Sequence, residues 1–453
     1  MPLTTSLRRA SLALVVASTA LFAQDRGPNA TTPDSVKPAA APAPSLFRTL
    51  DVQRLRPADQ RGLNWFEPPK HDPTPFSGFA LHFGGAFVQD FQGMVHTNTA
   101  APKLVKDVDA NKLMTVGNGF NNSVANFFLD AQLADGIRVS MTSYLSSRHH
   151  NETWVKDGYL IVDKSPIDIK LLKDVMEYVT VRFGQFEVNY GDQHYRRTDN
   201  GQGIYNPFVG NLIMDAMTTE IGGEVTFKRD GWLVMGGVTN AESKGLVVSP
   251  AKRTAAYLGK IGFDKKLSDD LRVRLTGSMY TTSSANNNVL YSGDRAGSRY
   301  YFVMENTTAT DAAQAWSGQL NPGFGRNVKA YVINPFAKYQ GLEVFGNFES
   351  SSGRSWAETT DRSWTQNALD AVYRFGSDKA YIGTRYNRAE GKLAGITDKV
   401  NIERMQYGAG FFLTPSVLMK LEWVDQKYGN FPTSDIRNGG RFKGFMIEGV
   451  VGF

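Results

Sequence analysis

The chain has 453 residues, no cysteine, 44 glycines, 12% aromatic residues and a mean hydropathy of −0.32. So polar an average excludes a helical membrane protein, because past the N-terminus no run of about 18 apolar residues could span a bilayer. A formal charge of +6 is spread thinly over this length with no Lys/Arg block, which excludes nucleic acid as a partner.

Residues 1–23 have the pattern of a secretory signal peptide. Arg8 and Arg9 form a basic start, Ala10 to Leu21 are apolar but too few to cross a membrane, and Ala23 offers a cleavage site. An uncleaved anchor is the alternative, and the shortness of the apolar stretch favours export. Residues 24–75 contain PDSVKPAAAPAPS and then Pro57, Pro68, Pro69, Pro73 and Pro75. Such a Pro/Ala-rich segment is expected to be an extended periplasmic linker, too short and too proline-rich to fold as a plug domain.

From Phe76 the hydrophobic period becomes two. In FALHFGGAFVQDF, Phe79, Leu81, Phe83, Phe87 and Phe91 fall on one face, opposite Ala80, His82, Gly84, Ala86 and Asp90. In ANFFLDAQL, Phe127, Leu129 and Leu133 oppose Asn126, Asp130 and Gln132. Asp135-Gly136 then turns the chain into IRVSMTSYL. LRVRLTGSMY and VLMKLEW repeat the alternation at 271–280 and 417–423. Segments of about ten residues of this kind suit tilted, membrane-spanning strands.

Strands are expected near 78–92, 121–134, 137–148, 152–163, 177–189, 218–229, 231–240, 254–265, 270–280, 326–334, 341–350, 364–375, 379–389, 401–413, 416–428 and 440–453. Short joints (135–136, 229–231, 376–379, 414–416) largely alternate with long polar ones (93–120, 190–217, 240–253, 281–326, 390–400, 429–439). The fold class is therefore all-β: a transmembrane antiparallel β-barrel of about sixteen strands over 76–453. Eighteen strands would result if RYYFVM (299–304) formed one with a partner, and 163–176 suggests a short helix. Even numbers put both chain ends in the periplasm of a bacterial outer-membrane protein. Phe453 ends the last segment on the same face as Ile447 and Val451, where the barrel assembly machinery would engage it.

A barrel this wide leaves an aqueous lumen, so a water-filled pore for small ions or solutes is expected. Its inward candidates are Arg138, Arg182, Arg272, Arg274, Arg374, Arg385, Arg404 and Lys420. A guanidinium ladder favours anions. Asp90, Asp130, Glu220, Glu224, Glu343, Asp370, Glu422 and Glu448 share the face, however, so charges paired across the wall are the competing reading. Segment 190–217 is a candidate constriction loop carrying His194, Arg196, Arg197 and Asp199. Its apolar second half, Phe208 to Met217, favours a place inside the lumen over an ordinary external loop. On this reading, replacing Arg196 and Arg197 by Ala shifts selectivity towards cations.

YVTVRFGQFEVNYG (178–191), following ETWVKDGYLIVD, resembles the phosphate-selective porin O/P family. NPFAKYQGLEVFGNFE, RMQYGAGFFLTPSVLMKLEWVDQKYGNFP and GGRFKGFMIEGVVGF resemble porin-like outer-membrane proteins of the same broad type, and the likeness covers most of 150–453. The resemblance implies sixteen strands, a homotrimer and passive diffusion of anions, with phosphate preference carried by clustered lumenal Arg and Lys. No HExxH, GxSxG or P-loop motif points to an enzyme, a catalytic metal or a cofactor. His149-His150 would face opposite ways on a strand and are taken as loop residues. A soluble β-sandwich remains the rival fold, and would bury its apolar faces against each other.

Overall fold

The computed structural model describes residues 52–70, 74–146, 152–243, 245, 247, 253–293, 299–311, 313–314 and 317–453. The expected leader, residues 24–51 and 71–73 of the expected linker, and His149-His150 lie outside the described residues.

Sixteen long strands form the wall among these residues. In chain order they are β1 (Ala80–Thr97), β2 (Val124–Ala134), β3 (Ile137–Ser146), β4 (Glu152–Val162), β5 (Val179–Glu187), β6 (Thr219–Arg229), β7 (Trp232–Thr239) and β8 (Ala256–Lys266). There follow β9 (Leu271–Thr282), β10 (Asn327–Tyr339), β11 (Leu342–Arg354), β12 (Arg362–Phe375), β13 (Ala380–Lys392), β14 (Lys399–Thr414), β15 (Val417–Gly429) and β16 (Arg441–Gly452). Each pairs antiparallel with its chain neighbours, and β1 pairs with both β2 and β16: Phe87 lies opposite Ala125 on one side and Val451 on the other. The sheet thus closes, leaving no edge with unpaired N–H and C=O groups for lipid to face.

The alternation seen in the sequence sets the two faces. Phe83, Phe87, Phe127, Phe183, Ile261, Leu275, Ile333, Leu421 and Ile447 are exposed on the exterior, while Asp130, Arg138, Arg274, Asp370, Arg385 and Glu448 point inward. Trp232, Tyr339, Phe375, Phe411 and Phe453 stand at the exterior rim nearest the short turns, where an aromatic girdle meets the bilayer surface. A β-sandwich would have buried these rings. At the β6–β7 hairpin Asp230 (φ 50°) and Gly231 (φ 89°) are both left-handed, the geometry that matches the twist of the strands they join.

Residues 299–304 form turns and Lys170–Met176 a short helix, so the wall stops at sixteen long strands. A larger departure concerns the expected linker. Residues 52–70 run through the bore at the short-turn end, touching strands on opposite sides of it. Gln53 meets Gln132 of β2, Glu67 meets Lys260 of β8, Asn64 meets Glu343 of β11, and the Gln60 N–H donates to the Pro415 carbonyl at the β14–β15 turn. Proline content hid a segment whose Val52 and Phe66 are buried and whose polar side chains match the wall.

Candidate functional site

A wall of sixteen strands encloses more space than its own side chains fill. Most of that space holds protein. The loop from Val188 to Thr218 crosses the bore and is anchored to strands on several sides. The Val209 N–H donates to Glu422 of β15 (2.8 Å), the Ile213 N–H to Asn387 of β13 (2.7 Å), the Met214 N–H to Gln366 of β12 (2.7 Å) and the Gly201 N–H to Asn126 of β2 (2.9 Å). The β9–β10 loop packs upon it: the Leu320 N–H donates to the Ile213 carbonyl, and the Tyr300 hydroxyl to Glu422 (2.6 Å).

Together these loops and the inward residues of β7 to β16 and β1 make an apolar core inside the barrel. Val209, Ile213, Tyr300, Val303 and Met304 meet Leu258, Val328, Trp364, Ile402, Val424 and Phe442 there. The expected open, water-filled lumen is therefore corrected: on this side the bore is packed.

The inward cations point as the alternation requires, but they are paired. Strand register explains the partners, because residues opposite each other on antiparallel neighbours share a face. Arg385 lies opposite Asp370 (2.7 Å), Arg182 opposite Glu224 (3.0 Å), Lys420 opposite Glu448 (2.6 Å) and Arg274 opposite Asp264 (3.1 Å). Arg374 reaches Glu343 (2.8 Å), Arg138 reaches Asp163 (3.1 Å) and Arg272 clasps Asp264 (2.7 Å). Arg404 is held by Gln426 and by the carbonyls of Asn211 and Gly318. The picture of an arginine ladder facing open water gives way to the competing one of charges paired across the wall.

The loop residues behave alike. Arg197 forks onto Asp215 (2.9 and 2.7 Å) and also meets Asp199, which binds Lys156. Arg196 bonds Asn64 and Glu343, both buried. His194 sits between Glu187 (3.4 Å) and Asn189 (3.2 Å), and burial lowers its pKa. Asp192 joins Lys260 and Arg274; burial opposes its ionisation, but these two cations hold its pKa down at about 2. Glu67, against the same pair, is likewise held well below the ordinary carboxylate range despite burial. The sequence reading missed Asp163, Asp192, Asp215 and Glu67 as partners: the last three lie in segments with no strand period to reveal their direction, and Asp163 follows directly on the end of β4.

Part of the bore stays open along the β2–β6 side. A cavity of about 310 Å³ lies along β2 to β6, lined by Phe128, Ser140, Thr142, Asp157, Tyr159, Thr180, Arg182 and Thr226. Glu187 at the end of β5 and His194, Asp199 and Gln202 of the crossing loop also line it, and Arg54, Arg56, Phe66 and Pro68 bound it at the short-turn end.

No known family model matches the chain, and no curated protein matches it by sequence. Solved structures do. The outer-membrane channel DcaP of Acinetobacter baumannii is 9% identical with a TM-score of 0.50, the match covering 84% of this chain and 99% of that one. OprB of Pseudomonas putida is 12% identical (TM-score 0.48, 83% and 94%), and an anion-selective porin from Comamonas acidovorans 9% (TM-score 0.48, 83% and 100%). The fold is that of an outer-membrane β-barrel. At such identities the likeness speaks for architecture alone.

Proposed function

We propose that the chain is a bacterial outer-membrane channel that passes small hydrophilic solutes or ions passively along the β2–β6 side of its bore. The observation that carries this reading is the chamber itself, a cavity of mixed polar and apolar lining enclosed by a wall whose exterior suits lipid. Hydroxyl, amide and charged groups line it, as a hydrated solute requires. Its lining includes six basic side chains (Arg54, Arg56, Arg138, Arg182, Arg197, Lys228) and six acidic ones (Glu67, Asp130, Asp157, Glu187, Asp199, Glu224). With the charges so balanced, the anion or phosphate preference implied by the porin O/P resemblance is expected to be slight. Residues 1–23 as export signal, Phe453 as handle for the assembly machinery, and a homotrimer in the membrane belong to the same proposal.

The packing of the β7–β16 side favours a second reading, a non-conducting structural or adhesive barrel. Planar-bilayer recording separates the two. Stepwise conductance with a reversal potential near zero in a potassium chloride gradient supports a weakly selective channel, and a clearly anion-selective potential restores the phosphate-porin reading. Silence over many insertions leaves the structural barrel.

A further inference from the structure

Residues 52–70 contribute no strand to the sheet, yet side chains bind them right round the bore. Glu67 bridges Lys260 (2.9 Å) and Arg274 (2.8 Å) on β8 and β9. Arg138 of β3 donates to the Gln53 carbonyl (2.8 Å), and Lys228 of β6 to that of Pro68 (2.6 Å). Phe66 is buried in a ring pocket of Phe336, Phe345 and Tyr195, with the Arg274 guanidinium 4.3 Å above its face.

A segment that merely trailed from the barrel would contact one sector of the rim. This one spans the rim and forms the short-turn boundary of the chamber, through Arg54, Arg56, Phe66 and Pro68. Because it takes no part in the β-ladder, it can leave without breaking a backbone bond between strands. Its seat is largely polar, so water can satisfy the groups it would expose, and Phe66 supplies the main apolar anchor.

We infer that residues 52–70 are a cis-acting plug: in the seated state they close the periplasmic mouth of the β2–β6 passage, and their release opens it. The inference rests on the channel reading. The barrel, its loops and its belt stay in place while one segment moves. Glu67 and Phe66 are positioning residues that set how much of the time the plug is seated.

The test uses the full chain in planar bilayers with potassium chloride as the probe. Phe66→Ala combined with Glu67→Gln removes the ring anchor and the acid between two cations. Its single-channel conductance, or its open fraction, should rise several-fold over the wild type, while heat-modifiable migration in SDS reports an intact barrel. The chain has no cysteine, so Pro68→Cys with Lys228→Cys can be bridged by a short bis-maleimide. The unbridged pair should exceed the wild type, and bridging should bring conductance back down to the wild-type level or below; no change on bridging overturns the plug. Equal conductance of wild type, double variant and bridged pair overturns the plug and leaves the channel standing. Silence of all of them, with intact barrels, overturns both. If the double substitution yields no barrel, the bridged and unbridged cysteine pair decides alone.

Discussion

The two sides of the bore are built from the same alternating strands and end up with opposite interiors. Along β7 to β16 the inward residues of the upper bore are Leu258, Val328, Trp364, Ile402 and Phe442, and they meet the apolar half of the crossing loop. Along β2 to β6 they are Ser140, Thr142, Asp157, Thr180 and Arg182, and they meet a cavity. The lesson is that a polar-inward strand face does not by itself imply water. What fills a lumen depends on the loops that reach it, and an apolar loop finds its place where the wall offers apolar partners.

That comparison can be broken most sharply by truncation. Trp364→Ala should cost about 3–5 kcal/mol, because the cavity it leaves lies within packed protein. Thr142→Ala beside the chamber, which removes a hydroxyl hydrogen bond to Asp157, should cost only about 0.5–1.5 kcal/mol. Urea denaturation of the refolded barrel in vesicles measures both, and equal effects would erase the distinction between the sides.

Ion pairs offer the next contrast. Arg385→Ala strands Asp370 in packed surroundings and should destabilise by about 3–5 kcal/mol. Arg182→Ala leaves the buried Glu224 on the wall of the cavity, where water entering the chamber can reach it, and should cost less than Arg385→Ala. Arg196→Ala with Arg197→Ala follows the buried pattern: loss of stability should exceed any change in selectivity, as unfolding and reversal-potential measurements together would show. A large selectivity shift in a fully stable barrel would reinstate these arginines as the constriction.

Labelling sharpens the comparison without altering stability much. In this cysteine-free chain, Thr142→Cys and Thr180→Cys should react with a small hydrophilic thiol reagent, whereas Asn387→Cys, beneath the crossing loop, should not. Mass spectrometry of the folded protein reads the outcome. Equal protection at all three sites would mean that the chamber is sealed.

The smallest expected effect is that of pH on the plug. Asp192 and Glu67 have depressed pKa values, so the stabilisation they give is complete above the unfolded carboxylate value and is lost as the pH falls through the folded one, about 2 for Asp192. Between about pH 8 and pH 5 the seated fraction should therefore not change on their account. A conductance step in that window that survives in Glu67→Gln would point to another titrating group.

Much of the barrel was legible because the period of two is a local property of the chain. Phe83, Phe87 and Phe127 announce the lipid face, and the first and last residues of nearly every strand lie within a few positions of those expected. The interior was legible only in part. Arg274 lies on the inner face, but Asp192 and Glu67, which neutralise it, lie 82 and 207 residues away in segments without periodicity. Phe208 to Met217 hinted at a buried loop, whereas Phe66, set among prolines, gave no comparable sign.

By itself, then, the order of residues determined a closed, membrane-embedded sheet, since side-chain direction along a strand follows from backbone geometry. Whether the enclosed space is wet, packed or plugged was decided only in three dimensions. That outcome depends on which distant loop and terminal groups meet which inward side chains, and these matches of charge and shape form only once the cylinder has brought them together.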